Sequence, residues 1–297
     1  MKVPELYNRQ TKKIELENTY KVNGLAFLYK NTLGRALTKS LLNKSMVSKA
    51  YARYVKSPKS LGQIPKFIDH YQINTEEVKE PIHSFKCFND FFIRELKENA
   101  RPIDNEPSHL ISPADSRLMI FDLSEASNIP VKGYWYSLES LLKDEALAAE
   151  YADGWCFVYR LAPNDYHRYS YIDKGTQDGV RRIKGVLHSV HPLALAETRA
   201  LIAKNYRELT ILHTENFGDV LHLEVGALLV GKIIQGHDGP YSFERGEEKG
   251  YFEYGGSTVV QIFKKDSIQP DADILAYSQK RIETLVQLGE KVGLKAN

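Results

Sequence analysis

The chain has 297 residues, 42% hydrophobic and 26% charged, a composition that supports a substantial core and excludes wholesale disorder. A net charge of +2 gives no sign of a polyanion-binding surface over the whole chain, so no nucleic-acid partner is expected. Its two cysteines, Cys87 and Cys156, lack metal-ligand spacing and exclude a disulfide framework, which points to a reducing compartment and to no metal.

The N-terminal stretch MKVPELYNRQTKKIELENTY has no apolar core of signal-peptide length, and no apolar run in the chain is long enough to span a bilayer. The expectation is a protein made and kept in the cytosol. From Asn18 to His70 the sole acidic residue is Asp69, against ten Lys and Arg. Within that span Leu25, Leu28, Leu33, Leu37 and Leu41 recur at helical spacings, with Lys30, Arg35, Lys39 and Lys44 between them. The spacing predicts a basic amphipathic helix. It either packs its apolar stripe on its own domain or lies on anionic lipid.

Short helices and turns are predicted from Ser57 to Phe85, and the aromatic cluster Phe85, Phe88, Phe91 and Phe92 is assigned to the core. From Ser112 the texture turns to short β-like runs, including Trp155 to Arg160, Gly179 to His188 and Glu208 to His213. Ser137 is placed to N-cap a short helix. Two stronger runs, Asp219 to Ile234 and Tyr251 to Phe263, flank a polar turn and are predicted to pair antiparallel. The segment from Ala272 to Val292 is predicted helical, from its good formers and the apolar series Leu275, Ile282, Leu285 and Leu288. The chain therefore reads as an α+β protein. A largely antiparallel β core with a C-terminal helix occupies residues 81–297, and a helical, basic region, whose association with a membrane is left open at this point, occupies residues 1–80.

The most informative motif is Tyr254-Gly255-Gly256-Ser257-Thr258, set in the last of these β-like runs. The glycines leave the Gly256 carbonyl unshielded, and Ser257 places a hydroxyl beside the carbon it would attack, a geometry suited to an N→O acyl shift. A Gly-Gly break in a strand is also what a bulge or tight bend requires. Self-cleavage needs a base for the serine proton and commonly a carboxylate to hold that base. The loop LAPNDYHRYSYIDKG supplies Asp165, Tyr166, His167 and Arg168, and the turn ISPADS supplies Asp115. Each has a structural alternative: a turn-capping carboxylate for Asp115 and a plain hydrogen bonder for the histidine.

Together these pieces resemble the phosphatidylserine decarboxylase family of pyruvoyl-dependent enzymes. FNDFFIRELKENARPI is similar to the family's Phe-rich segment, SPADS to its Ser-Pro-x-Asp-Gly turn, and KGYWYSLESLL to its Lys-Gly-x-x-Tyr-Ser-Leu stretch. LAPNDYHR is similar to its Asp-Tyr-His-Arg loop and ENFGDVLHLEVGALLVGKI to its penultimate strand block, while GGST falls at its Gly-Ser-Thr cleavage site. The resemblance implies autocatalytic cleavage between Gly256 and Ser257, giving a β chain (1–256) and an α chain (257–297) that stay together as a heterodimer. A higher oligomer is left open. It further implies that Ser257 becomes a covalent pyruvoyl group that forms a Schiff base with the substrate amine, with no separate cofactor. Asp115, His167 and Ser257 would be the processing triad, with His167 also a candidate to protonate the product carbon. The implied substrate is phosphatidylserine, reached from the cytoplasmic face of the cell membrane by a peripheral enzyme, which favours the interfacial reading of the N-terminal helix.

Two positions depart from the family pattern. Many members carry a second histidine where this chain has Ser170, so either His167 serves both steps or His188 or His191 takes one over. Ser116 stands where the SPADS-type turn commonly has glycine. Arg168, Lys132 and Lys232 are candidates to meet a substrate phosphate, and the sequence singles out none. Two other readings stay open: a pyruvoyl-dependent decarboxylase of a soluble amino acid, and a processing-dead homologue that binds anionic lipid.

Overall fold

A computed structural model describes residues 4–18, 51–124, 128–131, 134–185, 205–226, 232–255 and 257–296. The predicted basic helix between Leu25 and Leu41, the candidates Lys132, His188 and His191, and Gly256 lie outside the described residues.

The principal strands are β1 (Glu5–Asn8), β2 (Lys13–Leu16), β3 (Ser116–Asp122), β4 (Trp155–Leu161), β5 (Arg207–Thr214), β6 (Gly218–Gly226), β7 (Ser257–Phe263) and β8 (Glu283–Val286). They form the body of an 11-stranded sheet in the order β5-β6-β7-β4-β3-β8-β1-β2, extended past β5 by short strands. Pairing along this path is antiparallel except between β1 and β8, where Leu6 lies opposite Glu283 in a parallel register. The sheet is covered on both faces. Along β3, Leu118 and Ile120 enter one core while Met119 and Phe121 enter the other, and along β7 Val259 and Phe263 oppose Val260 and Ile262 in the same way. Double coverage is why β7 reads as a nearly continuous apolar run rather than an alternating one.

The predicted antiparallel pair forms in two pieces. Ser257 to Phe263 lies opposite Gly226 to Val220 in the large sheet, and Ile233–Gln235 lies opposite Gly250 to Phe252 in a three-stranded sheet completed by Arg168–Ser170. Between the two pieces Gly255 has φ 144°, a conformation that a side chain disfavours, so the first glycine of the motif is needed for the strand to change sheets.

A third core joins the helices α1 (Gln63–Tyr71) and α2 (Phe88–Phe92), with Val55, Ile64, Phe85, Phe88, Phe91 and Phe92 buried and Tyr254 packed against them. The four phenylalanines thus sit in the core as expected. Ser137 caps its helix, α3 (Leu138–Leu142), through a bond from the Ser140 N–H. The N-terminal region opens with the β1–β2 hairpin, and Glu17 ties it to the sheet through Arg160 at 2.9 Å and Arg117 at 3.1 Å.

At the other end the structure corrects the predicted helix from Ala272 to Val292. Helix α4 covers only Ala272–Gln279, after which β8 and a further strand, Lys291–Lys295, complete the chain. The helix closes at Arg281, whose φ of 60° is left-handed and whose successor Ile282 donates back to the Tyr277 carbonyl at 3.0 Å; after β8 the chain reverses again at Gly289, φ 82°, where a Cβ would come within 2.7 Å of the Pro102 carbonyl oxygen.

Candidate active site

Ser257 is the first residue of β7, buried between Gly226 on β6 and Leu161 on β4. Its Oγ lies 3.2 Å from Nδ1 of His167. The other ring nitrogen, Nε2, lies 3.0 Å from the Ala162 carbonyl oxygen. A carbonyl only accepts, so Nε2 carries the proton and Nδ1 turns its lone pair to the serine hydroxyl, which donates. The histidine is completely buried and its ring packs against that of Phe92, with centroids 4.0 Å apart and planes inclined at 30°.

The loop after β4 is built to hold that carbonyl. Asp165 N–H donates to the Ala162 oxygen at 3.0 Å, and the Asp165 carboxylate accepts the Ala162 N–H at 2.7 Å and pairs with Arg117. Asp165 thereby closes a tight turn on itself, as Asp does in turns. The same carbonyl then fixes the tautomer of His167. Downstream, the Phe252 N–H donates to the His167 carbonyl at 2.9 Å, so the strand that leads to the serine also anchors the base. Tyr254 completes the clamp: its N–H donates to Asn89 Oδ1 at 2.9 Å and its ring packs on Phe88 and Phe92 at 5.2 and 5.0 Å. Each such aromatic pair contributes about 1 kcal/mol beyond its burial.

Burial pushes the His167 imidazole down to about 3, and the positive charges of Arg94 and Arg117 push the same way. The ring is therefore neutral at physiological pH. Because the folded state binds this proton less readily than the unfolded state, His167 contributes stability that is fully present above its ordinary pKa near 6.5 and is lost as pH falls towards 3. Melting curves of the uncleaved Ser257→Ala protein should thus drop more steeply between pH 6.5 and 4 than those of Ser257→Ala carrying His167→Gln. Equal slopes would show that the buried ring does not govern acid stability.

Asp115 sits in the neighbouring turn. Arg101 Nε lies 2.9 Å from both of its oxygens and the Leu288 N–H donates to Oδ1 at 2.9 Å. Those bonds, rather than one to His167, occupy its carboxylate. The turn is joined to the histidine loop by Ser170, whose N–H donates to the Pro113 carbonyl at 2.9 Å while its buried hydroxyl lies 3.5 Å from the same oxygen. The structure therefore brings Ser257 and His167 into contact and sets Asp115 one turn away, with Ser170 as the link. Arg168 is consumed locally: its Nε donates to the Ile93 carbonyl, its NH1 to both Glu248 oxygens at 2.9 and 3.0 Å, and its guanidinium lies over the Tyr251 ring. Lys232 is exposed.

Two contributors to this geometry had no sequence signal. Phe92 looks like any core aromatic, and the Ala162 carbonyl is a backbone atom that no motif records. Beside the loop lies a cavity of about 250 Å³, lined among others by Arg94, Arg101, Asp115, Arg117, Asn164 and Asp165.

Comparison with known proteins converges on one family. The sequence profile described as phosphatidylserine decarboxylase matches residues 88–294. The phosphatidylserine decarboxylase proenzyme of Clostridium novyi (strain NT) is 42% identical over 98% of this chain and 99% of its own length. Proteins of the same name from Clostridium perfringens (strain SM101 / Type A) and Clostridium botulinum (strain Langeland / NCTC 10281 / Type F) are 40% and 41% identical, covering 98% and 97% of this chain and 99% and 98% of their own.

Proposed function

The chain belongs to the phosphatidylserine decarboxylase family, and on that premise we propose that it is a proenzyme that cuts itself between Gly256 and Ser257 and then converts phosphatidylserine to phosphatidylethanolamine and CO2. It is a carboxy-lyase of that family. The observation that carries the reading is the contact between Ser257 Oγ and the lone pair of His167 Nδ1.

In the cut, Nδ1 takes the hydroxyl proton as Oγ attacks the Gly256 carbonyl carbon, and the peptide C–N bond breaks to leave an ester and a free amine. Loss of the Ser257 Cα proton then expels the Gly256 carboxylate, and hydrolysis of the remaining double bond releases ammonia. What is left on residue 257 is a pyruvoyl group, which supplies an electron sink for a substrate amine. The buried serine, with a neutral base on its hydroxyl and the apolar face of Phe92 behind that base, fits the formation of such a group. After the cut, His167 stands where the product carbon needs a proton, and the buried surroundings exclude water from it. Asp115 acts as a positioning residue: with Arg101 it fixes the turn whose Pro113 carbonyl holds the strand of His167.

The two fragments, 1–256 and 257–297, remain together as a heterodimer on the cytoplasmic face of the membrane. No described helix is long and apolar enough to cross a bilayer. Contact through the N-terminal region of residues 1–80 is supported by Ile14 and Leu16 on its edge strand β2, 51% and 66% exposed just ahead of the basic span that starts at Asn18.

The test is product formation. The cleaved protein should release CO2 and phosphatidylethanolamine from phosphatidylserine vesicles and give no product from free serine. The opposite pattern would move the substrate to a soluble amino acid. An uncleaved chain that binds vesicles and yields neither product would make this a lipid-binding homologue without catalysis.

A further inference from the structure

The cavity beside the His167 loop receives three guanidinium groups, and two are already spent. Arg101 holds Asp115 and, at 2.9 Å, Glu77, while Arg117 holds Asp165 and Glu17. Arg94 is different. It is 5% exposed, its Nε and NH1 have no hydrogen-bond partner, and its NH2 lies at a long 3.5 Å from the Asn164 carbonyl. The Phe91 ring, 5.1 Å from its CZ, covers a face of the guanidinium and leaves the N–H edge unused. Asp115 and Asp165 act on it through space without contacting it. A buried cation whose donors are left open is unfavourable unless something arrives to meet them.

The planar fork of arginine matches a carboxylate or a phosphate. On the decarboxylase reading of this site the substrate offers both, and chemistry separates them. The carboxylate is the group lost as CO2, so pairing it with a buried arginine would stabilise the ground state and be forfeited in the transition state. The phosphodiester keeps its charge throughout. It lies a short covalent step from the amine, and Arg94 follows Phe92, which packs against His167, by two residues.

We infer that Arg94 binds the phosphodiester of the phospholipid headgroup in this cavity. Since the phosphate is unchanged by the reaction, the contact is uniform binding and should appear in KM rather than kcat.

Two measurements test this. In the uncleaved Ser257→Ala protein, glycerophosphoserine binding followed by calorimetry should weaken at least tenfold with Arg94→Gln and less with Arg94→Lys, which keeps the charge and guards against a folding defect. In the cleaved enzyme, Arg94→Gln should raise KM for a short-chain phosphatidylserine about tenfold and leave kcat within twofold. Unchanged binding in a folded Arg94→Gln protein, a parent that does not bind glycerophosphoserine, or a loss confined to kcat would each overturn the assignment. Inorganic phosphate binding more tightly than glycerophosphoserine would reassign the cavity to free phosphate and overturn the headgroup role. Should the wild-type chain release no CO2 while Arg94 still governs glycerophosphoserine binding, the decarboxylase reading fails and the anion site stands.

Discussion

Replacing Ser257 by alanine should leave a single chain of 33.9 kDa, where the wild type separates under denaturing conditions into pieces spanning 1–256 and 257–297. The effect is all or none, because no neighbouring hydroxyl can stand in. Thr258 is adjacent in sequence, but successive residues of a strand point to opposite faces, so its side chain is turned away from the face that meets His167. Intact mass spectrometry reads the result directly, and the smaller wild-type piece should resist amino-terminal sequencing because it starts with a keto acyl group. Ser257→Cys keeps a nucleophile at the same atom position and should still cleave. A split Ser257→Ala chain would place the cut elsewhere.

His167→Gln should slow self-cleavage by about 100-fold or more, the range a positioned general base contributes. Glutamine offers a carbonyl that accepts a hydrogen bond but does not take the proton. The rate is read as the half-time for loss of full-length chain after synthesis in a cell-free system, and an unchanged half-time would remove His167 from the base role. The pH dependence adds a second signature. A histidine with an ordinary pKa near 6.5 would lose about tenfold of its neutral form at pH 5.5. With the ring pushed down to about 3, wild-type cleavage should be nearly level between pH 7.5 and 5.5.

Much of this site is legible in the chain because its reacting groups fall in short, distinctive runs. The Gly-Gly-Ser run stands out in the sequence, with Gly255 at a backbone conformation that suits glycine, and His167 sits in a loop bracketed by Pro163 and Gly175. The supporting atoms are less visible. Nothing in FFIRELKE distinguishes Arg94, an arginine buried with unused donors, from its charged and more exposed neighbours Glu95 and Lys97. Asp115 could be found, but nothing marks Arg101 as its partner, and the bond from Leu288 comes from distant chain, so neither can be paired by inspection. The C-terminal misreading has a local cause. Ile282, Leu285 and Leu288 fit a helical period, while Ile282, Thr284 and Val286 fit an alternating one equally well, and the arbiter is a left-handed Arg281, a residue type that carries no stop signal, followed by a turn at Gly289 packed against distant Pro102. The β1–β8 pairing is illegible for a similar reason: four-residue strands at opposite ends of the chain carry too little pattern to announce each other.

The position of the cut within the sheet sets the order of events in this protein's life. Residues from 257 onward furnish β7, wedged between β6 and β4, and β8, wedged between β3 and β1, while Lys291–Lys295 pairs with Ile268–Pro270 of its own piece on one side and with His109–Ile111 of the other piece on the other. Severing the chain ahead of β7 therefore releases nothing, since each piece is threaded through the other. It does erase the tether that let the pieces find one another. A molecule that has matured and then melts faces a two-body search for two interleaved strands instead of a one-chain collapse. On this topology a chain cut ahead of β7 is expected to be assembled once, from the intact precursor, and to persist by kinetic entrapment.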